Sequence, residues 1–423
     1  MRSAEITPEM DGKRIIVAGW VHELRDLGGI VFIVLRDRDG FIQITLPKKV
    51  VNSEVFKKAK KIQRESVIRV EGIVKREEKA PNGFEIIPEV LEVLNESQAP
   101  LPLEVTEKVP ADLDTRLENR FMDLRRPKVL AIFRIKSQIT RSIRDFLYNE
   151  GFIEVQTPKI VSTATEGGTE LFPVSYFERE AFLNQSPQLY KQILMSAGFE
   201  KVFEIGPIFR AEEHNTTRHL NEATSVDIEM SFTDHEGVMN LLERMIAKVY
   251  EDVIEKCEKQ LEILELRLEV PEVPFQRITY TEALEMLDNR IPWGEDLDLY
   301  ALKTLGSKID GHFFITEWPA KIKPFYVMSE DGKISKSFDL MYGYLELASG
   351  AQREHRYEKL VENIKMRDLQ PESFEFYLKA FRYGMPPHAG WGLGLERLVM
   401  AMLNLSNIRE ASLFPRDRTR LIP

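Results

Sequence analysis

The 423-residue chain has a single cysteine, Cys257. That excludes a disulfide framework and a cysteine-based zinc cluster, and points to a reducing, cytoplasmic setting. No uninterrupted apolar run approaches eighteen residues, which excludes a membrane-spanning helix. The opening MRSAEITPEMDGK lacks the apolar stretch of a secretory signal. There is no GxxxxGKS or GxxxxGKT run, and no GxGxxG follows a strand-like segment. A P-loop or Rossmann nucleotide site is therefore not expected. The seven histidines form no HExxH-like set, so no zinc site is expected. Internal repeats and low-complexity segments are also missing.

At 43% hydrophobic and 30% charged, the chain can build a sizeable soluble core, and its length suggests two or three domains. The net charge of −10 is unevenly held. Residues 1–100 carry 17 basic and 16 acidic side chains; the remainder carries 41 and 52. The overall sign argues against a nonspecific nucleic-acid coat, yet a near-neutral first module permits local contact with nucleic acid.

Five Val- and Ile-rich segments lie within residues 13–95: KRIIVAGWVHEL, IVFIVLRDRDG, FIQITL, SVIRVEGIVK and FEIIPEVLEVL. Gly28, Gly29, Asp39-Gly40 and Asn82-Gly83 punctuate them, and the helical stretch SEVFKKAKKIQ follows the third. This order predicts a Greek-key barrel of the oligonucleotide-binding (OB) type over 1–100. Prolines in 98–103 and the charged run DTRLENRFMDLRRP predict a linker over 101–128. The domain that follows, 129–423, opens with Ile132, Ile135, Ile139, Ile143 and Phe146 on one helical stripe, with Gly151 as C-cap. FIEVQTP then reads as a strand stopped by Pro158. Beyond it, helices at 235–259, 354–367, 371–382 and 394–404 alternate with strands at 201–211, 223–232, 312–318 and 335–347. The pattern predicts an α+β domain built on a mainly antiparallel sheet flanked by helices.

KVFEIGPIFRAEEHNTTRHLNEATSVDIEMSF (201–232) reads as two strands joined by a polar loop. Two-residue periodicity places Glu204, Arg210 and Glu212 on one face of the first strand. It places Ser225, Asp227, Glu229 and Ser231 on one face of the second, with Phe203, Ile205, Val226 and Ile228 beneath. A solvated sheet face rarely concentrates Arg, Glu and Asp in this way.

FRAEE here, GLGLER (392–397) and the long helix ending in GFIEVQTP resemble, in order and spacing, the three motifs of class II aminoacyl-tRNA synthetases. TEGG (165–168), QSPQLYKQ (185–192), FDLMYGYLELASGAQRE (338–354) and the barrel narrow the resemblance to the archaeal-type aspartyl enzymes, over essentially the full length. The resemblance implies ATP-dependent activation of L-aspartate to aspartyl-adenylate, then transfer to the 3′ end of tRNA(Asp).

Adenylation brings a carboxylate to a phosphate, so cations must offset the repulsion. The resemblance assigns Arg210 and Arg397 as catalytic, Arg210 bridging carboxylate and α-phosphate. ATP would also meet Ala211, Glu212 (reading the adenine amino group), Arg218, His219, Leu220, Glu346, Gly394, Leu395 and Glu396. Glycines at 392 and 394 would let the backbone approach the nucleotide. Magnesium would sit on Glu346 and Ser349, with Asp339 as a further candidate. Seven residues separate Asp339 from Glu346, which puts them on opposite faces of a regular strand; a bulge at Gly343 or a turn would be needed to bring them together. For aspartate the resemblance assigns Arg353 and Lys191 to the side-chain carboxylate, Glu166, Gln188 and Asp227 to the ammonium, and Arg210 and Ser349 around them. An asparagine amide would leave two buried cations uncompensated, at a cost of about 3–5 kcal/mol.

For the barrel, the resemblance implies anticodon reading by Phe32, Gln43 and Glu85, with Arg25 on the backbone. Strict relatives tend to carry Trp and Lys at two barrel sites, and relaxed ones His and Pro. His22 and Pro81 predict a non-discriminating enzyme that also charges tRNA(Asn), whose product an amidotransferase would then convert. A homodimer through the first motif is implied. Four other readings remain open: a strictly discriminating aspartyl-tRNA synthetase, an asparaginyl-tRNA synthetase, a tRNA-independent asparagine synthetase paralogue, and a nonenzymatic tRNA-binding protein.

Overall fold

A computed structural model describes residues 1–106, 108–162, 171–213 and 216–422. The chain divides into two compact units, Met1–Arg126 and Pro127–Pro423.

In the first unit, strands β1 (Arg14–Asp26), β2 (Ile30–Arg36), β3 (Phe41–Pro47), β4 (Val67–Arg76) and β5 (Phe84–Asn95) close into a barrel in the order β1-β2-β3-β5-β4. The expected OB-type barrel is present, with helix Ser53–Ala59 after the third strand. Alternation in the sequence sends Val17, Val31, Ile33, Ile44, Val70 and Ile86 inward, where they are fully or almost fully buried. Segment 101–126 groups with this unit, not between the two. Leu103, Val105 and Met122 form a small core of their own, and Arg64 grips Glu104 bidentately at 2.6 and 3.0 Å. Its charged run folds as two short helices, Leu113–Glu118 and Arg120–Asp123.

The β1–β2 register shifts between Val21 and Glu23, so His22 is the extra residue of a bulge. The bulge turns His22 into a buried charge cluster. Glu65, fully buried, accepts from Arg36 at 2.7 and 3.0 Å and from Arg125 at 2.9 Å. Arg36 also lies 2.9 Å from His22 Nδ1, which must be the acceptor because a guanidinium only donates. Burial alone would raise the Glu65 carboxyl; the Arg36 and Arg125 guanidinium groups outweigh it and hold the group down at about 2. A depressed carboxylate stabilises the fold above its unfolded value and loses that stabilisation as pH falls through its folded value. About 3 kcal/mol of stability at pH 7 is therefore expected to vanish as pH drops from about 4.5 towards 2. Urea melts of the native chain and Glu65→Gln at pH 7 and pH 3 test this. The native chain should lose the larger share of its pH 7 stability, and equal losses would contradict the assignment.

The second unit begins with helix Pro127–Asn149, whose Ile132, Ile135, Ile139 and Ile143 are buried as the stripe predicts; Phe146 is only partly buried against the same core, and Leu147 is the buried residue at that end. Strand β6 (Ile153–Glu154) follows. A small sheet of order β7-β9-β8 comes next: β7 (Ile160–Val161), β8 (Pro173–Tyr176) and β9 (Arg179–Leu183). The remaining strands are β10 (Lys201–Phe209), β11 (Glu222–Ser231), β12 (Gln276–Thr279), β13 (His312–Thr316), β14 (Ser337–Tyr342), β15 (Leu345–Gln352) and β16 (His388–Gly394). With β6 they form an eight-stranded sheet, order β12-β13-β14-β15-β16-β11-β10-β6, antiparallel except at β6/β10 and β12/β13. The antiparallel α+β expectation holds. Helices Pro127–Asn149, His235–Lys256 and Leu395–Leu403 contribute to the main core, with Val226, Ile228 and Trp391 from the sheet.

One expected element differs. The single strand read over 335–347 is a hairpin, β14–β15, turned at Gly343-Tyr344 with Gly343 at φ +54°. Helix Leu299–Lys308 abuts this turn through Gly306, where any Cβ would collide with the Gly343 backbone.

Candidate active site

Strands β10, β11, β15 and β16 pair side by side, and residues on and beside them enclose a cavity of about 300 Å³. Arg210, Arg353 and Arg397 all line it. Arg210 stands one residue past the end of β10, its N–H bonded to the Asn221 carbonyl at 2.9 Å. Arg397 lies in the first turn of helix Leu395–Leu403 and donates to the Glu346 carbonyl at 3.0 Å. Arg353 follows β15.

The cavity floor is a balanced set of charges. Glu229 is fully buried and accepts from Arg353 Nε at 2.9 Å, with Lys191 Nζ at 3.5 Å. Burial pushes its carboxyl up, but Arg353 and Lys191 outweigh that and hold it ionised, below its usual value. Lys191 also donates to Asp227 at 2.9 Å and to the Trp391 carbonyl at 3.2 Å, so it makes two hydrogen bonds and a longer ion pair with Glu229. Arg353 reaches Gln188 at 3.4 Å. Of the expected cation pair, Arg353 faces the cavity, while Lys191 lies behind Asp227 and Glu229 and is not part of the wall. The cost reckoned for asparagine changes accordingly. Both cations already have carboxylate partners, so rejection would rest on directing amide N–H groups at Arg353, not on bare charge.

The glycines of β16 follow from this packing. A side chain at Gly390 would collide with the Glu229 carboxylate, and one at Gly392 would come within 3.1 Å of Asp227. His388, on the same strand, is fully buried, with ring nitrogens against Gln192 at 2.9 Å and the Pro386 carbonyl at 2.8 Å. Burial holds it neutral, near 4.

Gln188, Glu212, His219, Leu220 and Gly394 also line the cavity. Ala211 and Leu395 are neighbours in sequence of wall residues but not part of the wall itself. Glu396 touches the cavity, yet its oxygens are held by Lys136 at 2.7 Å and the Thr224 N–H at 3.0 Å, a brace between helix Pro127–Asn149 and β11. Glu204 is likewise a brace, to Thr157 and Lys159. Glu166 and TEGG lie outside the described residues.

A second cavity of about 350 Å³ shares Arg218, His219, Lys323, Glu346, Ser349 and Arg397 with the first. Asp339 opens onto it. Asp339 pairs directly with Ser349 across the β14–β15 hairpin, and β15 bulges at Leu347, which puts Glu346 on the Ser349 face. Of the bulge or turn needed to unite Asp339 with Glu346, the structure has the turn, at Gly343-Tyr344: it pairs Glu346 with Met341, on the Asp339 face, and the Leu347 bulge then adds Ser349 to that face. Asp339 Oδ2 meets Lys323 Nζ at 2.8 Å, while its Oδ1 is buried without a partner. Burial, with Glu346 adding to it, raises the Asp339 carboxyl against the pull of Lys323. Two carboxylates, one of them with an unsatisfied buried oxygen, and a hydroxyl fit a hard divalent cation that takes its other ligands from phosphates and water.

On the barrel, Phe32 is half-buried and sits opposite Arg25 on β1 and Thr45 on β3. Thr45 donates to Glu85 at 2.6 Å, Lys75 meets Glu85 at 3.0 Å, and Gln43 lies 3.4 Å from both Thr45 and Glu85. The four expected residues thus share one face, joined by Thr45 and Lys75, which the sequence reading passed over. His22 and the turn holding exposed Pro81 meet at Phe41: the His22 ring lies 4.9 Å from the Phe41 ring, and Asn82 donates to the Phe41 carbonyl.

Comparison with known proteins matches residues 112–418 to the family described as tRNA synthetases class II (D, K and N), and 15–94 to the OB-fold nucleic acid binding domain. An Archaeoglobus fulgidus protein named aspartate–tRNA(Asp/Asn) ligase is 70% identical over all of this chain and 99% of its own. A Pyrococcus furiosus protein named aspartate–tRNA(Asp) ligase is 59% identical, over 100% and 99%. The crystal structure of Pyrococcus horikoshii asparaginyl-tRNA synthetase complexed with asparaginyl-adenylate superposes with a TM-score of 0.95 at 37% identity, covering 100% of this chain and 99% of that one. With the motif arginines gathered in one cavity and both domains matched, the chain belongs to the class II aminoacyl-tRNA synthetases of the aspartate, lysine and asparagine group.

Proposed function

We propose that this enzyme is an aspartate–tRNA ligase, forming aspartyl-adenylate from L-aspartate and ATP and passing the aspartyl group to tRNA. The observation that carries this reading is Arg353 and Asp227 lining the same cavity as Arg210 and Arg397. Asp227 and Gln188 accept from the substrate ammonium, and Arg353 takes the side-chain carboxylate. Arg210 neutralises the α-carboxylate beside the α-phosphate. A carboxylate oxygen attacks the α-phosphorus and the bond to the β-phosphate breaks, releasing pyrophosphate. The carboxylate is already ionised, so no protein base is needed. A ribose hydroxyl at the tRNA 3′ end then attacks the acyl carbon and AMP leaves. Glu346, Ser349 and Asp339 would hold Mg2+, which when bound offsets phosphate charge.

On the barrel, Phe32 stacks an anticodon base, with Gln43, Glu85 and Arg25 beside it. Relatives named for both tRNAs range from 56% to 70% identity and ones named for tRNA(Asp) alone stand at 59%, within that range, so local residues must decide. His22 and Pro81 support charging of both tRNA(Asp) and tRNA(Asn), with an amidotransferase downstream. Tyr148, Ile153 and Ile160 are exposed around the first motif, which supports a homodimer through that segment. Among the described residues no helix is long and apolar enough to cross a membrane. The test is charging of both purified transcripts with labelled aspartate and asparagine. Aspartate should be attached to both at rates within about tenfold, a difference of about 1.4 kcal/mol. His22→Trp combined with Pro81→Lys should restore preference for tRNA(Asp). Attachment of asparagine instead would favour the asparaginyl enzyme.

A further inference from the structure

Arg218 and Arg397 bring two positively charged side chains to the same two cavities. Arg397 Nε lies 3.4 Å from the Arg218 carbonyl, and both side chains line both cavities. Like charges held in this way repel. Burial and the Arg397 charge together lower the Arg218 guanidinium below its ordinary value, with Tyr344 and Glu346 opposing. Something must hold Arg218 in place before ATP arrives.

That role falls to Tyr344, at the tip of the β14–β15 hairpin. Arg218 Cζ stands 5.7 Å from the Tyr344 ring centroid, within cation–π range. A second cation, Lys303 Nζ, stands 5.6 Å from the same centroid. The placement is built in. Gly343 turns the hairpin at positive φ, and Gly306 lets helix Leu299–Lys308 close on that turn, carrying Lys303 one helical turn away. The ring is half-buried and packs on the main core, so its orientation is fixed independently of the loop that carries Arg218.

We propose that Tyr344 is a positioning residue for ATP, its ring face holding Arg218 ready for the nucleotide phosphates. The inference rests on the aspartate-activating function proposed above. Its test is aspartate-dependent ATP–pyrophosphate exchange with ATP and aspartate varied separately. Tyr344→Ala should raise KM for ATP about fivefold to tenfold, the scale of one partly desolvated cation–π contact, with KM for aspartate unchanged. Tyr344→Phe keeps the ring face and should stay within about twofold of native. The proposal fails if Tyr344→Phe loses as much as Tyr344→Ala, if KM for ATP is unchanged in Tyr344→Ala, or if both Michaelis constants rise together. Should Tyr344→Ala not fold, Tyr344→Leu, with similar bulk and no π face, takes its place under the same criteria. Native protein with no aspartate-dependent exchange would instead overturn the function itself.

Discussion

Arg210→Ala is expected to lower kcat/KM for aspartate-dependent pyrophosphate exchange by about a thousandfold or more. Removing one preorganised donor from a developing oxyanion costs about 10²–10³, and losing an arginine from phosphoryl transfer costs up to about 10⁵. Arg210 is the group assigned to both the attacking carboxylate and the α-phosphate, so its loss should weigh on kcat more than on KM for aspartate. The fold should survive. Arg210 follows the last residue of β10, and its backbone N–H bond to Asn221 does not involve the side chain. Circular dichroism and the melting temperature check that point. A variant retaining a tenth of native exchange would remove Arg210 from the chemistry.

Glu229→Ala carries the largest expected effect on stability. It leaves Arg353 buried without its carboxylate and takes one of two carboxylate neighbours from Lys191. Breaking a buried pair from one side costs about 3–5 kcal/mol, which for a unit of this size lowers the melting temperature by on the order of 10 °C. Pairing the change with Arg353→Met should recover part of the loss, because replacing both partners is milder than orphaning one. Thermal denaturation of the single and double variants reads this directly. If the double variant melts below Glu229→Ala, the ion pair is not the source of the effect. Gly390→Ala probes the same contact from the other side, since its methyl group would meet the Glu229 carboxylate.

Local periodicity carried much of this architecture. Strict alternation in RIIVAGWV and IVFIVLR was enough to assign barrel strands, and the Ile stripe of 132–143 was enough for the long helix. Alternation in SVDIEM placed Asp227 and Glu229 on one face, but gave no hint that Glu229 would be the fully buried partner of Arg353, 124 residues away. Non-local pairing of that kind leaves no trace in spacing. The Leu347 bulge was equally hidden. Counting from Asp339 to Glu346 assumes one regular strand; the hairpin turn between them reverses that parity, and the bulge does the same for Ser349. His22 shows the same effect in the barrel, where an extra residue turns a position that alternation would put outside towards a buried carboxylate. Segment 101–126 read as a spacer because it is charged; Arg116, Arg120 and Asp123 spend those charges on one another. Nothing local in the sequence singles out Lys323, which bonds Asp339 and lies 4.1 Å from the Trp318 ring centroid.

With His388 uncharged, Lys191, Arg353, Asp227 and Glu229 sum to zero. That floor adds no net charge of its own to the cavity. A diacid without an amine would satisfy Arg353 yet face Asp227 with like charge, and an amine without a second acid would do the reverse. Selection for an amino diacid then lies in the order of alternating charges, much as a key is read by its teeth and not by its weight.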